Sequence, residues 1–392
     1  MITVEQAFEL VQNNIHPTNT SESKPVIESA GYVLFKDVYS PINMPPFRQS
    51  AMDGYALNMH QDSTYKIIDE VKAGDGHHPI LKEGEAIRIF TGSAVPDSAN
   101  TVIMQEKTNR EDDVLTLTSP AVENENIRPL GEQVEKGALA LKKGTKLTPA
   151  AIGYLTTLGI SEVEVFSKPS IAIVTTGNEL IEAGQELTYG KIYESNSGML
   201  LTALQSLGYD NVTIAKVKDD YASTMASLDK AISENDVVLI SGGISVGDYD
   251  FVGKALLELG VKQIFYKVKQ KPGKPLFFGK MNYKPVFALP GNPASALSSF
   301  YVYVQPSLQK LSGNLDFSLN RLKVNLTGDY FKKGARAQFL KASVKDGNVT
   351  ILEGQSSAML YTFAIANAFV YVPAEVNSLS KGDEIEVIML PV

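Results

Sequence analysis

The chain has 392 residues, 44% of them hydrophobic and 20% charged, and a formal net charge of −8. That length exceeds one ordinary core and implies roughly two to four domains, while the acidic balance argues against a broad nucleic-acid-binding face. With no cysteine, disulfides, thiolate metal sites and cysteine nucleophiles are excluded.

The opening MITVEQAFELV lacks a basic region ahead of an apolar core. It reads as an amphipathic helix opened by a Thr3–Gln6 capping box, not as a signal peptide. No apolar run approaches the ~20 residues of a membrane span, so a soluble, cytoplasmic protein without a membrane role is expected. To about residue 167 the pattern is irregular, with strands at Ala86–Phe90, Thr101–Met104, Val114–Leu117 and Leu139–Leu141 between Gly, Pro and Asp turns. Thr148-Pro149 opens a helix that Gly159 stops, and the strand VEVF follows.

From Lys168 to Gly313 strands and helices alternate. Strands read at 171–175, 212–217, 236–240, 263–268 and 285–289, with helices between them and after the last. This rhythm implies a mostly parallel sheet with helices on both faces, whose ligands bind beyond the carboxyl ends of the strands. From about Asn314 short strands return (LKVNL, AQFLKASV, NVTIL, FVYVP, EIEVIML), as in a small β-barrel or sandwich. The expected fold class is therefore multidomain α/β plus β.

Three loops leave strand ends in the α/β segment: TTGNEL (175–180), SGGISVGDYD (241–250) and LPGNPASA (289–296). Each could be a tight turn, with glycine for positive φ and Asn or Asp as caps. Three on one sheet edge favour a pocket. Neither a P-loop nor a dinucleotide fingerprint is present. Carboxylates recur at this edge (Glu179, Asp219, Asp220, Asp248, Asp250). Gathered in one pocket they would repel unless a cation joined them, and all-oxygen ligands near phosphate suit Mg²⁺. The four histidines (16, 60, 77, 78) lie outside these loops. In KQKPGKPLFF, Lys271 and Lys274 flank a Pro-Gly turn, either solvated or aimed at an oxyanion. In the first half, Asp53-Gly54 of PPFRQSAMDGYAL reads as a turn, and Thr91-Gly92 of RIFTGSAVP could bind an anion.

Taken together, PPFRQSAMDGYA, RIFTGSAVP, IRPLGE, TTGNEL, SGGISVGDYDF, KPGKPLFFG and LPGNPASAL, in this order, resemble the molybdopterin molybdenumtransferase family. These are the bacterial MoeA proteins, related to the E domain of gephyrin. The resemblance covers nearly the whole chain. No single motif decides it, but seven in order are specific.

The resemblance implies a helix-containing domain from 1–22, 40–47 and 130–167, with an inserted β-rich domain from 23–39 and 48–129. It implies an α/β domain of the molybdopterin-binding type over 168–313 and a C-terminal β-barrel over 314–392. It further implies a homodimer with a shared active site, in which Asp53 acts across the interface with Glu179 and Asp250. The implied reaction inserts molybdate into adenylyl-molybdopterin, releases AMP and requires Mg²⁺; other molybdenum-cofactor biosynthesis proteins are implied partners. Asp53, Glu179 and Asp250 are then the catalytic residues, and Glu179 and Asp250 the metal ligands. The family pattern S-V-G-x-x-D selects Asp250 over Asp248.

Substrate contacts carried over fall on the same loops. On the strand-end turns they are Thr176, Gly177, Ser241, Gly242, Gly243, Ser245 and Gly247. On the third loop they are Pro290, Gly291, Asn292, Pro293 and Ser295. Lys271, Lys274 and Ser295 would bind the molybdate dianion, with Arg336 and Ser357 as further anion contacts; Thr91, Gly92 and Arg128 complete the set.

One departure stands out. The family commonly reads Gly-Glu-Asp where this chain reads Gly131-Glu132-Gln133, and glutamine can neither carry negative charge nor act as a base. A working enzyme with a tolerated substitution is expected. The alternatives are a non-catalytic molybdopterin-binding or scaffold protein, and a related α/β enzyme acting on another nucleotide or pterin, such as a pyrophosphatase. The last would need neither the PPFRQSAMDG segment nor the C-terminal strands.

Overall fold

The computed structural model describes residues 1–218, 220–244 and 251–391. Two compact units emerge: Met1–Glu22 with Phe166–Val392, and Ser23–Val165.

The larger unit opens with helix α1 (Val4–Asn14), and its capping box forms as expected: Gln6 N–H donates to Thr3 Oγ1 and Thr3 N–H to Gln6 Oε1. The central sheet has six strands: β1 (Ile171–Thr176), β2 (Val212–Val217), β3 (Val237–Ser241), β4 (Lys262–Tyr266), β5 (Phe277–Met281) and β6 (Lys284–Leu289). Their order is β2-β1-β3-β6-β5-β4, with β2, β1, β3 and β6 parallel and β5 antiparallel to both neighbours.

Side chains alternate across a strand, and here both faces are apolar. Ile171, Ile173, Val237, Leu239, Phe287 and Leu289 face one core with α1 and α2 (Asn196–Ser206). The helical run Pro293–Leu311 joins the same core. Ala172, Val174, Val238, Ile240, Val286 and Ala288 face the other, with α3 (Tyr221–Glu234) and α4 (Phe251–Glu258).

The C-terminal strands form a closed barrel, settling the barrel-or-sandwich alternative. β7 (Arg321–Leu326), β8 (Ala337–Lys345), β9 (Asn348–Ile351), β10 (Ala368–Val372) and β11 (Glu384–Met389) run in the order β8-β9-β7-β11-β10, and β10 closes onto β8. Leu340, Ala342 and Val370 fill its interior. Phe339, Phe369 and Ile388, on the alternate face, share the core of α1 and β1.

The smaller unit holds a mixed six-stranded sheet over residues 54–117. Gly54 is required by close approach: a Cβ there would lie 1.9 Å from the Ile103 carbonyl oxygen. Thr148 caps the helix Pro149–Thr157 by accepting from Ala151 N–H at 3.2 Å. Among the described residues no helix is long and apolar enough to cross a membrane.

Candidate active site

Chain order in the sheet reverses at β1, with β2 on one side and β3 on the other. Connections leaving such a pair pass to opposite faces and open a crevice at the carboxyl edge. A cavity of about 600 Å³ lies there, lined by the ends of β1 (Thr175, Thr176), β3 (Ser241 to Ile244) and β6 (Pro290 to Pro293). Glu179, Leu180, Glu194, Asn196 and Pro275 are also in its wall. A second cavity of about 400 Å³ shares Thr175, Leu180 and Glu194, and at its edge Lys216 Nζ donates to Glu182 Oε1 at 2.8 Å.

The glycine pair in this wall serves close packing. Gly242 and Gly243 have φ of +99° and +66°. A Cβ on Gly242 would lie 2.6 Å from the Thr176 carbonyl oxygen, and one on Gly243 2.5 Å from Val252 Cγ2. Only glycine tolerates both the dihedral and the contact, so the β1 and β3 turns and α4 close on one another.

Asn196, at the start of α2, ties the other two loops together. Its Nδ2 donates to Ser241 Oγ at 2.8 Å and to the Gly291 carbonyl at 2.7 Å. A carbonyl only accepts, which fixes the amide orientation and turns Oδ1 the other way. Asn196 Oδ1, Thr175 Oγ1 and Thr176 Oγ1 are buried with no hydrogen-bond partner among the described residues. Buried polar atoms are normally satisfied, so this wall suits a polar ligand. Glu194 accepts from Ser197 N–H at 2.9 Å and from the Ser197 hydroxyl, which commits its carboxylate to the helix start. Neither Asn196 nor Glu194 was anticipated; the Glu-Ser-Asn-Ser run before an apolar helix is a capping signal that marks them.

Positive charge comes from beside the cavity. Lys271 and Lys274 are exposed, and Pro275, the next residue, lines the wall. Gln270–Lys271 forms a two-residue strand parallel to the start of β8, and Arg336 NH1 donates to the Gln270 carbonyl at 3.2 Å. Asn292 Nδ2 donates to Ser357 Oγ at 3.1 Å. The barrel thus brings Arg336 to the lysine segment and Ser357 to the third loop. Ser295 is 3% exposed, within the start of the helix that follows. Glu179 is exposed at the cavity, and Gly177 lines the adjoining one. Ser245, Gly247, Asp248, Asp250 and Asp219 lie outside the described residues. Asp220 is a helix cap, accepting from Ser223 N–H at 2.8 Å, and that bond holds its carboxyl below the usual range.

In the smaller unit, Asp53 Oδ1 accepts from Thr91 N–H at 2.7 Å. That backbone donor, then the Thr91 hydroxyl, holds the Asp53 carboxyl below its ordinary value. In the Thr91-Gly92 turn, read as able to bind an anion, the Thr91 amide is thus engaged by the protein's own carboxylate. Arg128 and Gln133 are exposed, and the Gln133 N–H donates to the Met44 carbonyl at 2.9 Å. Among the described residues no three His, Asp or Glu side chains converge on a metal position.

A doubly wound domain with a polar cavity at its switch point, joined to a closed five-stranded barrel, defines a multidomain α/β-plus-β class. Comparison with known proteins narrows the class. The MoeA N-terminal region (domain I and II) matches residues 2–159, the "Probable molybdopterin binding domain" residues 172–310, and the MoeA C-terminal region (domain IV) residues 323–390. A molybdopterin molybdenumtransferase of Haemophilus influenzae is 33% identical over 99% of this chain and 98% of its own. One from Staphylococcus aureus (strain COL) is 30% identical over 95% and 93%. A crystal structure of the molybdopterin biosynthesis MoeA protein from Pyrococcus horikoshii OT3 superposes with a TM-score of 0.87 at 30% identity, covering 99% of this chain and 100% of that one. The chain belongs to the molybdopterin molybdenumtransferase family.

Proposed function

We propose that this chain inserts molybdenum from molybdate into adenylyl-molybdopterin, releasing AMP in an Mg²⁺-dependent reaction and yielding molybdenum cofactor. The observation that supports this reading most is that one barrel strand pairs with Gln270–Lys271, close in sequence to the wall residue Pro275, while the barrel's Ser357 bonds Asn292 on the same wall. Molybdate is a small tetrahedral dianion, and ammonium, guanidinium and hydroxyl donors suit it. The unpartnered Thr175, Thr176 and Asn196 oxygens offer polar contacts to the pterin or its phosphate side, as do Ser241 and the glycine loop with Ser245 and Gly247.

For the metal, the exposed Glu179 carboxylate at the cavity fits, whereas that of Glu194 is committed to Ser197. Mg²⁺ keeps several waters and needs only one or two carboxylates; Glu179 and Asp250 would hold it. When bound, it offsets charge on the phosphoanhydride oxygens. Asp53 would complete the site from the second subunit of a homodimer. The four-part division of the chain into domains belongs to the same reading.

A second reading, a molybdopterin-binding scaffold without turnover, is favoured by Gln133 alone. Adenylyl-molybdopterin, molybdate and Mg²⁺ are supplied to the purified chain and AMP release is followed. Release that Asp250→Ala nearly abolishes is expected; release unchanged by that substitution refutes the assigned role. A silent wild type that Gln133→Asp restores would sink the working-enzyme reading.

A further inference from the structure

Lys341, on β8, is 2% exposed. Its Nζ donates to the carbonyls of Gly354 at 2.9 Å, Met359 at 3.0 Å and Ser356 at 3.3 Å. These three acceptors account for all three ammonium hydrogens. No carboxylate is among its described partners, and burial pushes its pKa below the usual lysine value. Burying an ammonium without a counter-ion is costly, and an apolar side chain of similar length would fill the space beside Phe363 without that cost.

What the ammonium does is hold one loop. Residues 353–359 carry no regular structure, and their backbone is gathered on Lys341 from both sides. The Gln355 side chain accepts from Lys341 N–H at 3.0 Å and donates to its carbonyl at 2.8 Å, as a neighbouring strand would. Thr362 Oγ1 donates to the Glu353 and Gly354 carbonyls at 3.2 and 3.0 Å. The loop presents Ser357 to Asn292 on the cavity wall. At its other end β8 pairs with Gln270 and Lys271. One strand therefore positions both the lysine segment and the serine loop.

We propose that Lys341 is a positioning residue for the oxyanion end of the cavity, its buried ammonium latching residues 354–359 so that Ser357 meets Asn292. This rests on the molybdate-binding reading above. Lys341→Met, Ser357→Ala and the double variant are prepared in the full chain. Molybdate affinity is measured by calorimetry, and backbone protection of 353–360 by hydrogen exchange. Lys341→Met is expected to weaken molybdate binding about tenfold, the size of one lost hydrogen bond. It should also speed exchange in this loop while the paired barrel strands keep their protection. Because the latch acts through Ser357, the two losses are expected to be non-additive: Lys341→Met should add little to Ser357→Ala.

Additive losses, or a loosened loop with wild-type affinity, overturn the proposal. So does an unloosened loop in Lys341→Met. If that variant loses cooperative unfolding, Lys341→Gln, whose neutral amide still donates to two carbonyls, takes its place in the cycle under the same criteria. Absence of both molybdate binding and AMP release in the wild type would instead refute the functional reading, leaving the loop's exchange to report on the latch alone.

Discussion

Adding one carbon at Gly242 tests whether the glycine turn is a packing device. Gly242 and Gly184 have nearly the same φ, +99° and +93°, and lie in the same unit. Alanine at either position carries the left-handed penalty of about 1–2 kcal/mol. At Gly184 a Cβ would have nothing within 4 Å. At Gly242 it would lie 2.6 Å from the Thr176 carbonyl oxygen and 3.0 Å from Thr176 Oγ1. Thr176 is held in β1 opposite Val217, so it cannot retreat without moving the sheet edge, and overpacking of this kind costs about 1–3 kcal/mol more. The expected losses are about 2–5 kcal/mol for Gly242→Ala and about 1–2 for Gly184→Ala. For a unit of this size each kcal/mol lowers Tm by about 2–4 °C. Urea and thermal unfolding followed by circular dichroism measure both variants under one set of conditions, with m-values compared so that stability alone is read. If the two variants agree within about 0.5 kcal/mol, the close approach to Thr176 does not explain the glycine.

Asn196→Ala removes two hydrogen bonds across the cavity wall and should cost about 1–3 kcal/mol. Asn196→Asp, which sets an oxygen against the Gly291 carbonyl, should cost more at neutral pH; equal losses in unfolding experiments would show that the amide orientation is not held as described. Asp53 gives a pH prediction. Its folded pKa is depressed by Thr91, so its stabilisation is fully present above the unfolded value of about 3.9 and is lost as pH falls through the lower folded value. Carbon-detected NMR should find Asp53 titrating below about 3.9, and Asp53→Asn should flatten the acid limb of the stability curve; a normal titration removes the Thr91 bond from the account.

Features set by neighbours in sequence were legible. The Thr3–Gln6 capping box spans four residues, and the parallel strands announce themselves as short apolar runs buried on both faces. β5 was missed because KPGKPLFF is punctuated by Pro and Gly and reads as turn. Its antiparallel pairing with β6 depends on a reversal at Asn282, φ +56°, a hairpin signal of the kind asparagine supplies. At the site, the cluster of strand-end loops was legible because the α/β rhythm places it. The roles within it were not. Gly242 and Gly243 look like a phosphate cradle in a string of letters, yet what requires them is Thr176 and Val252, residues on other elements. Asn196 and Lys341 likewise matter through carbonyl groups that no residue type reveals.

In the proposed reading, the turn 241–250 has aspartates and no lysine, so an anion bound there needs cations from elsewhere. That positive charge is delivered by a different part of the fold, and packing makes that delivery firm. Lys271 is paired to β8, and β8 contributes Phe339 to the same core as Leu276, Phe300 and Phe369. Burying one such aromatic side chain contributes about 1.5–3 kcal/mol, so separating barrel from sheet would expose part of a core that both share. The barrel is therefore not an appended module, and the segment that carries Lys271 is paired to a strand anchored in a shared hydrophobic core. In that reading, a carboxylate at Glu179 on the cavity wall and cations on a separate segment let both signs of charge meet a ligand without neutralising each other first. A dianion and a metal-bound phosphate could then occupy neighbouring positions, which is the arrangement the proposed transfer needs.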